Sequence, residues 1–442
     1  MAPRVEPVRS DTSLPEKTEV VVIGGGIIGT ATAFFLARKG VPVVLCEKGE
    51  IGAEQSSRNW GWCRKMGRDP REIPLAAESL RLWGEMNALT EAETGFRRCG
   101  IVYLCRTKAE TERREAWLEH ARPYQLDSRP LSRADLKSLY PAIEGEWAGG
   151  LYTPSDGRAE PTKAAPAIAE AARRLGATLL TRCAVRGIET TGGRVSAAVT
   201  ETGRIPCARV VLAGGVWSRL FTGNLGLRLP QLRVVSAVMR TEKLDGGPDI
   251  SAAGDGFGFR KRLDGGYTVA SWSSNRFDLT PDALRFFSDF LPALRLERRS
   301  LRLRIGRPFI DAWRTPRSWA LDETTPFERV RTLDPAPDEA ILAQARKNIA
   351  AAFPVFRNLR VAETWGGAID VTPDAVPVIS PVDAIPGFFI ATGFSGHGFG
   401  IGPGAGRLAA DLVSGDAPVV DPAPFRFSRF TDGSRPLPSP LL

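Results

Sequence analysis

No part of this 442-residue chain is a block of like charge, and no cysteine pairs with another in a C-x-x-C. The first absence weighs against a nucleic-acid tail or a polybasic membrane anchor, although the net charge is +9. Only ten of the 59 basic residues are lysine, and the arginines are scattered among acids. The densest patches, Arg260-Lys261-Arg262 and Arg302/Arg304/Arg307, read as solvated surface before they read as a polyanion-binding face. The six cysteines offer no zinc-ligand spacing, so no metal is expected, and their low density fits a reducing, cytoplasmic compartment. The N-terminus has no apolar core followed by a cleavage site, so no leader is expected. Residues 20–37 are uncharged, but Gly24, Gly25, Gly26 and Gly29 at their centre suit a tight turn rather than a membrane span. Gly393-Phe394-Ser395-Gly396-His397 is not a G-x-S-x-G turn, which removes a hydrolase of that type.

What remains is an ordinary globular composition, 43% hydrophobic and 25% charged, on a chain long enough for two or three cores. A continuous apolar run over 20–23 reads as a central parallel strand. A helix over 30–39 follows, closed by Gly40, and then a second strand over 41–46. Between strand and helix stands Gly24-x-Gly26-x-x-Gly29. Its first glycine permits the turn, its second admits a pyrophosphate to the backbone, and its third lets helix and strand pack closely. Glu47 ends the second strand, where an acid would hold a ribose hydroxyl. This combination points to a dinucleotide without separating NAD from FAD. Helices are expected over 71–89, 110–121, 162–175 and 404–413, and β segments crowd the region from 230 to 305. Strand and helix alternate at both ends around a β-rich block, which predicts an interrupted nucleotide domain.

Further segments decide the cofactor. They are Gln55-Ser56-Ser57-Arg58-Asn59-Trp60-Gly61-Trp62, the strand ending in Ala213-Gly214-Gly215 with Trp217, the stretch Trp365-Gly366-Gly367, and Gly396-His397-Gly398-Phe399-Gly400-Ile401. In this order, from about 19 to 415, they resemble the D-amino-acid oxidase, glycine oxidase and sarcosine oxidase superfamily. The turn at 56–64 also looks like the opine and iminodiacetate oxidase branch. The resemblance implies an α/β fold, a split Rossmann-like FAD-binding domain with a β-sheet-rich substrate domain inserted. Residues 18–94, 154–228 and 360–415 would bind non-covalent FAD, and 95–153 with 229–359 would hold substrate. Residues 1–17 and 416–442 would be loose tails.

Each motif then takes an implied role. Ile27 and Ile28 lie under the pyrophosphate, Glu47 and Lys48 at the adenosine ribose, and Gln55 with Ser56 near phosphate. Ser57, Arg58 and Asn59 offer donors, and Trp60, Gly61 and Trp62 line the flavin ring. Val185 meets adenine, and the turn 396–401 brings N–H groups to the flavin pyrimidine edge. Glycine oxidases hold the substrate carboxylate with an arginine at the position where this chain has Ile369. Arg64, Arg260, Arg262 and Arg307 are the candidates to replace it, since arginine is the usual two-point clamp. Tyr267 lies in the β block beside Thr268, where sarcosine oxidases carry an oxygen-activating lysine. His397 is a candidate base, and His120 is expected at the surface. The expected activity is oxidation of an amine or amino acid that carries a carboxylate, with O2 or a quinone or other electron carrier as acceptor. The alternatives are an oxidase of an uncharged amine and a flavoprotein module acting on RNA.

Overall fold

The computed structural model describes residues 3–297 and 301–439. Two sheets organise them. The first runs Val378–Pro381, Phe388–Thr392, Arg209–Leu212, Val20–Ile23, Val43–Cys46 and Thr178–Leu180. Its four inner and last strands are parallel to one another, and only Val378–Pro381 is antiparallel. Val20 to Ile23 are buried on both faces, which explains why that strand is apolar throughout rather than alternating. On one face lie the helices Ile27–Arg38, Ile73–Thr90, Pro161–Arg174 and Gly398–Ser414. The other face is covered by the antiparallel strands Val185–Thr191, Arg194–Thr200 and Gly203–Pro206 and the helix Ser218–Asn224.

The second sheet is larger and mainly antiparallel. Leu232–Thr241 is its spine, flanked by Tyr267–Ala270 and Asn275–Asp278 on one side and Val361–Val371 on the other. Phe257–Lys261, Ser251–Gly254, Ile101–Cys105, Gly149–Thr153 and Arg129–Ser132 extend it. The helix Glu339–Ala352 covers one face, burying Leu342, Ala345 and Ile349 against Phe257, Phe259 and Tyr267. Asp338 caps that helix by accepting the Ile341 N–H.

The structure departs from the expected divisions at several points. Residues 361–371, expected in the nucleotide domain, form a full-length ladder with Leu232–Thr241, with Ile369 opposite Val234. Residues 327 and 333, expected in the substrate domain, line the nucleotide cleft instead. Neither terminal segment is loose: Asp11 exchanges hydrogen bonds with the backbone of Leu179, and Arg429 forms a buried ion pair with Asp374. The expected helix over 110–121 is divided into Lys108–Ala116 and Leu118–Ala121.

Candidate functional site

The carboxyl ends of the parallel strands open into a cleft of about 1280 Å³, the usual ligand position in an open α/β sheet. Gly24 stands at its rim with φ +107°, and a Cβ there would lie 2.4 Å from the Ala213 carbonyl oxygen. A Cβ at Gly29 would lie 1.9 Å from the Gly24 carbonyl oxygen, so only glycine lets the helix Ile27–Arg38 start this close to the strand. Ser56 Oγ accepts the Ile27 N–H at 2.8 Å. Glu47 pins the turn from below: Oε2 accepts the Gly25 N–H at 2.6 Å and Oε1 the Gly49 N–H at 2.7 Å. Burial pushes its carboxyl pKa up, opposed by the Lys48 charge and the Gly25 N–H.

Glu54 closes the far end of the cleft. Its carboxylate accepts Lys48 Nζ at 2.6 Å, Trp217 Nε1 at 3.0 Å and the Leu333 N–H at 2.9 Å. Val185, Phe327 and Leu333 make the apolar wall there. Gly26, Ile27, Ile28, Lys48, Gln55, Arg58, Asn59, Ala213, Gly214, Gly215, Gly396, Gly398 and Phe399 also line the cleft. Gln55 Oε1 and Arg58 Nη2 are buried there without a partner. They are the polar atoms a bound molecule would satisfy.

Several residues expected at the cofactor are also tied into the surrounding fold. Gly61 backs onto Arg260, Gly366 gives its carbonyl to Arg58 Nη1, and Gly400 gives its carbonyl to Ser79 and Trp83. Ile401 is core, and Ser57 turns its hydroxyl to the Glu54 carbonyl.

A second cavity, of about 820 Å³, meets the cleft at Gln55, Arg58, Asn59, Gly396 and Phe399. One wall is aromatic: Trp60, Trp62 and Trp272 lie with ring centroids 5.4 to 6.0 Å apart. Ile369, Ser236 and Asn275 come from the large sheet and the strand beside it. The remaining wall carries Arg64, Arg68 and His397. Arg64 donates to the Met66 carbonyl and lies over the Tyr103 ring. His397 Nδ1 meets Glu72 Oε2 at 3.1 Å. Burial lowers the His397 pKa to about 4 and the Arg68 charge adds to this, while Glu72 opposes it, so the imidazole is neutral at pH 7. The helix Gly398–Ser414 begins beside it, with its positive dipole end toward both cavities.

Three sequence candidates are corrected. Arg307 stands on the helix Arg307–Arg314 with its side chain 91% exposed, beside Asp311, and lines neither cavity. Tyr267 is buried in the large-sheet core, its hydroxyl donating to the Pro248 carbonyl. Arg262 pairs with Asp264 and faces a separate cavity beyond Asn59 and Trp365. Arg260 is also spoken for, by a two-point pair with Glu160 at 2.9 and 3.0 Å. Sequence reasoning missed Arg68, Glu72, Trp272 and Glu54. None of them stands in a motif that marks it, and residues 64–68 form a turn rather than a helix, so the spacing of Arg64 and Arg68 signals nothing.

Residues 19–412 match the family of FAD-dependent oxidoreductases designated DAO. The chain belongs to that family. It is 26% identical to glycine oxidase of Pseudomonas aeruginosa, over 92% of this chain and 97% of that one. It is 24% identical to mitochondrial sarcosine dehydrogenase of Mus musculus, over 96% of this chain and 43% of that one. It thus spans about half the length of the sarcosine and dimethylglycine dehydrogenases it matches. Among solved structures, L-amino acid deaminase from Proteus myxofaciens in complex with anthranilate superposes with a TM-score of 0.94. Identity there is 34%, covering 98% of each chain. Iminodiacetate oxidase from Chelativorans shares the fold at TM-score 0.68 and 19% identity, covering 92% of this chain and 98% of that one. FAD is the cofactor of this family, and the site offers it both donors, Arg58 Nη2 and the glycine-turn N–H groups, and acceptors, Gln55 Oε1 and the Glu47 carboxylate.

Proposed function

We propose that the protein oxidises the C–N bond of an amino acid or secondary amine that carries a carboxylate. FAD bound in the cleft would supply a two-electron acceptor able to take the hydrogen from the carbon beside nitrogen. Glu47 and the glycine turn would hold its adenosine and pyrophosphate, and Trp60, Trp62, Asn59 and the turn at Gly396 would border its ring. The observation that carries the reading is the second cavity: it shares lining residues with the cleft and is lined by both arginines and tryptophans. Arg64 would orient the carboxylate, because a planar guanidinium fixes both distance and tilt. A neutral His397 would accept a hydrogen bond from the amine without adding charge beside the arginines. The anthranilate bound to the Proteus myxofaciens deaminase is an aromatic carboxylate bearing an amine, and such a shape suits this cavity.

The test is single-turnover flavin reduction without oxygen, using amino acids and their decarboxylated amines. Wild type should be reduced faster by the amino acid. Arg64→Met should lose roughly ten- to a hundredfold in apparent affinity for the amino acid and little for the amine. A wild type that prefers the amine would replace this reading with a neutral substrate held among the tryptophans. Repeating the reaction with O2 or a quinone would identify the acceptor.

A further inference from the structure

Arg68 is a buried arginine without an anion. It is 2% exposed. The other buried arginines are Arg58, Arg158, Arg260, Arg276 and Arg429, and each has a carboxylate partner: Asp334, Asp249, Glu160, Asp278 and Asp374. Arg68 has no ion pair among the described residues. Its Nε donates to the Arg64 carbonyl at 3.4 Å, and its Nη1 is buried with no partner. Asp156 and Glu72 are the acids whose charges act on Arg68, and neither is within ion-pair distance of it; Glu72 Oε1 is itself buried without a hydrogen-bond partner. Asp156 accepts the Lys65 and Met66 N–H groups, and Glu72 Oε2 faces His397. Arg64, which lines the same cavity, also has no ion pair among the described residues and is bonded to a carbonyl.

A buried guanidinium left unpaired costs several kcal/mol in principle, so such an arrangement is expected only where a ligand completes it. Arg68 borders the substrate cavity together with Arg64 and His397. Its backbone is fixed there, because Trp117 Nε1 donates to the Arg68 carbonyl at 2.8 Å. Burial and the Arg64 charge lower the Arg68 pKa to about 10, which leaves it cationic at pH 7.

We infer that Arg68 is the inner half of a two-arginine clamp, receiving the substrate carboxylate together with Arg64, and that Glu72 seats the neutral His397 beside it. This rests on the reading that the substrate is anionic. It goes further in placing the carboxylate on the 64–72 loop, with the apolar part of the substrate against Trp60, Trp62 and Trp272. The substrate class is therefore a monocarboxylic amino acid or N-substituted amino acid with a bulky apolar side chain.

The test uses benzoate as a bare carboxylate probe and benzamide as its neutral isostere, titrated against tryptophan fluorescence of the FAD-loaded protein. Wild type should bind benzoate more tightly than benzamide. Arg68→Met should lose roughly ten- to a hundredfold for benzoate while benzamide binding stays the same, and Arg68→Lys should fall between. Ligand-free Arg68→Met should melt at or above the wild-type temperature, since it removes an unpaired buried charge. Unchanged benzoate affinity in Arg68→Met overturns the inference. Equal losses for both probes, or a lower ligand-free melting temperature or failure to fold, also overturn it, because Arg68 would then be structural. If instead the wild type binds benzamide at least as well as benzoate, the anionic-substrate reading itself has failed.

Discussion

Replacing Glu47 by glutamine separates two tasks that a carboxylate performs at once. Both Glu47 oxygens already accept backbone N–H groups, from Gly25 and Gly49, so the acid holds the glycine turn against the end of the second strand. Each oxygen has a second lone-pair site, which leaves room for a ribose hydroxyl. Glutamine keeps one acceptor and turns an NH2 toward the other N–H. Losing one hydrogen bond to a charged acceptor costs about 1.5–3 kcal/mol. The substitution also removes a carboxylate whose burial raises its pKa, which offsets part of that cost. The net expectation for the apoprotein is a loss of about 1–2 kcal/mol. FAD affinity should fall further, roughly ten- to a hundredfold, because the turn loosens and the ribose contact weakens together. Thermal melts of apoprotein and fluorescence titration with FAD measure the two losses separately. Because the folded pKa of Glu47 is raised, wild-type FAD affinity should weaken on acidification before that of the glutamine variant does. An apoprotein melt and an FAD affinity both equal to wild type would refute the two-task argument.

Gly29→Ala should destabilise the apoprotein by about 1–3 kcal/mol by forcing the first helix off the strand, and should abolish FAD retention on a desalting column. A melt within one degree of wild type would count against the close approach. The buried Arg260–Glu160 pair governs acid sensitivity. Burial raises the Glu160 pKa, but the Arg260 charge and hydrogen bonds outweigh it and hold it at about 2, against 4.5 for a free side chain. Its contribution, about 3 kcal/mol, is therefore complete above pH 4.5 and is lost as pH falls through 2. Glu160→Gln should be less stable at pH 7 by about 3 kcal/mol, since it strands a buried guanidinium, and its stability should fall less steeply below pH 4.5. Parallel pH curves in urea titrations would exclude the pair as the cause.

How much of this was legible depended on distance along the chain. Strand, glycine turn, helix and Glu47 are local, so the phosphate end of the cleft was readable from twenty-odd residues. The motifs at 55–62, 213–217 and 396–399 were readable only through resemblance, because nothing in their spacing says that they meet. Strand Val361–Val371 was placed in the wrong domain because its partner, Leu232–Thr241, lies more than a hundred residues earlier. Arg260 looked like a clamp for the same reason, since its carboxylate is Glu160, a hundred positions away. Arg68 shows the converse. What distinguishes it from the other buried arginines is the absence of an ion pair among the described residues, and that is a property of the packed molecule alone.

The position of Ile369 ties these points together. It lines the second cavity from the large sheet, at the position where the resemblance to glycine oxidases leads one to expect an arginine. An apolar side chain there leaves that part of the lining neutral, whereas residues 64–68 contribute two guanidinium groups. The loop at 64–68 follows the two-residue ladder of Trp62 and Cys63 with Arg158 and Gly157, and beyond it needs further restraints. It has them in the Asp156 carboxylate, which accepts the Lys65 and Met66 N–H groups, and in Trp117, which donates to the Arg68 carbonyl. Burial raises the Asp156 pKa to about 6, against the pull of the Lys65 N–H and charge. The restraint on the loop is thus an ionised group at pH 7 that becomes a weaker acceptor as pH falls through 6. On the proposed reading, the loop supplies the positive charge that an anionic substrate requires. The alignment of its two guanidinium groups then depends on one buried acid outside the cavity.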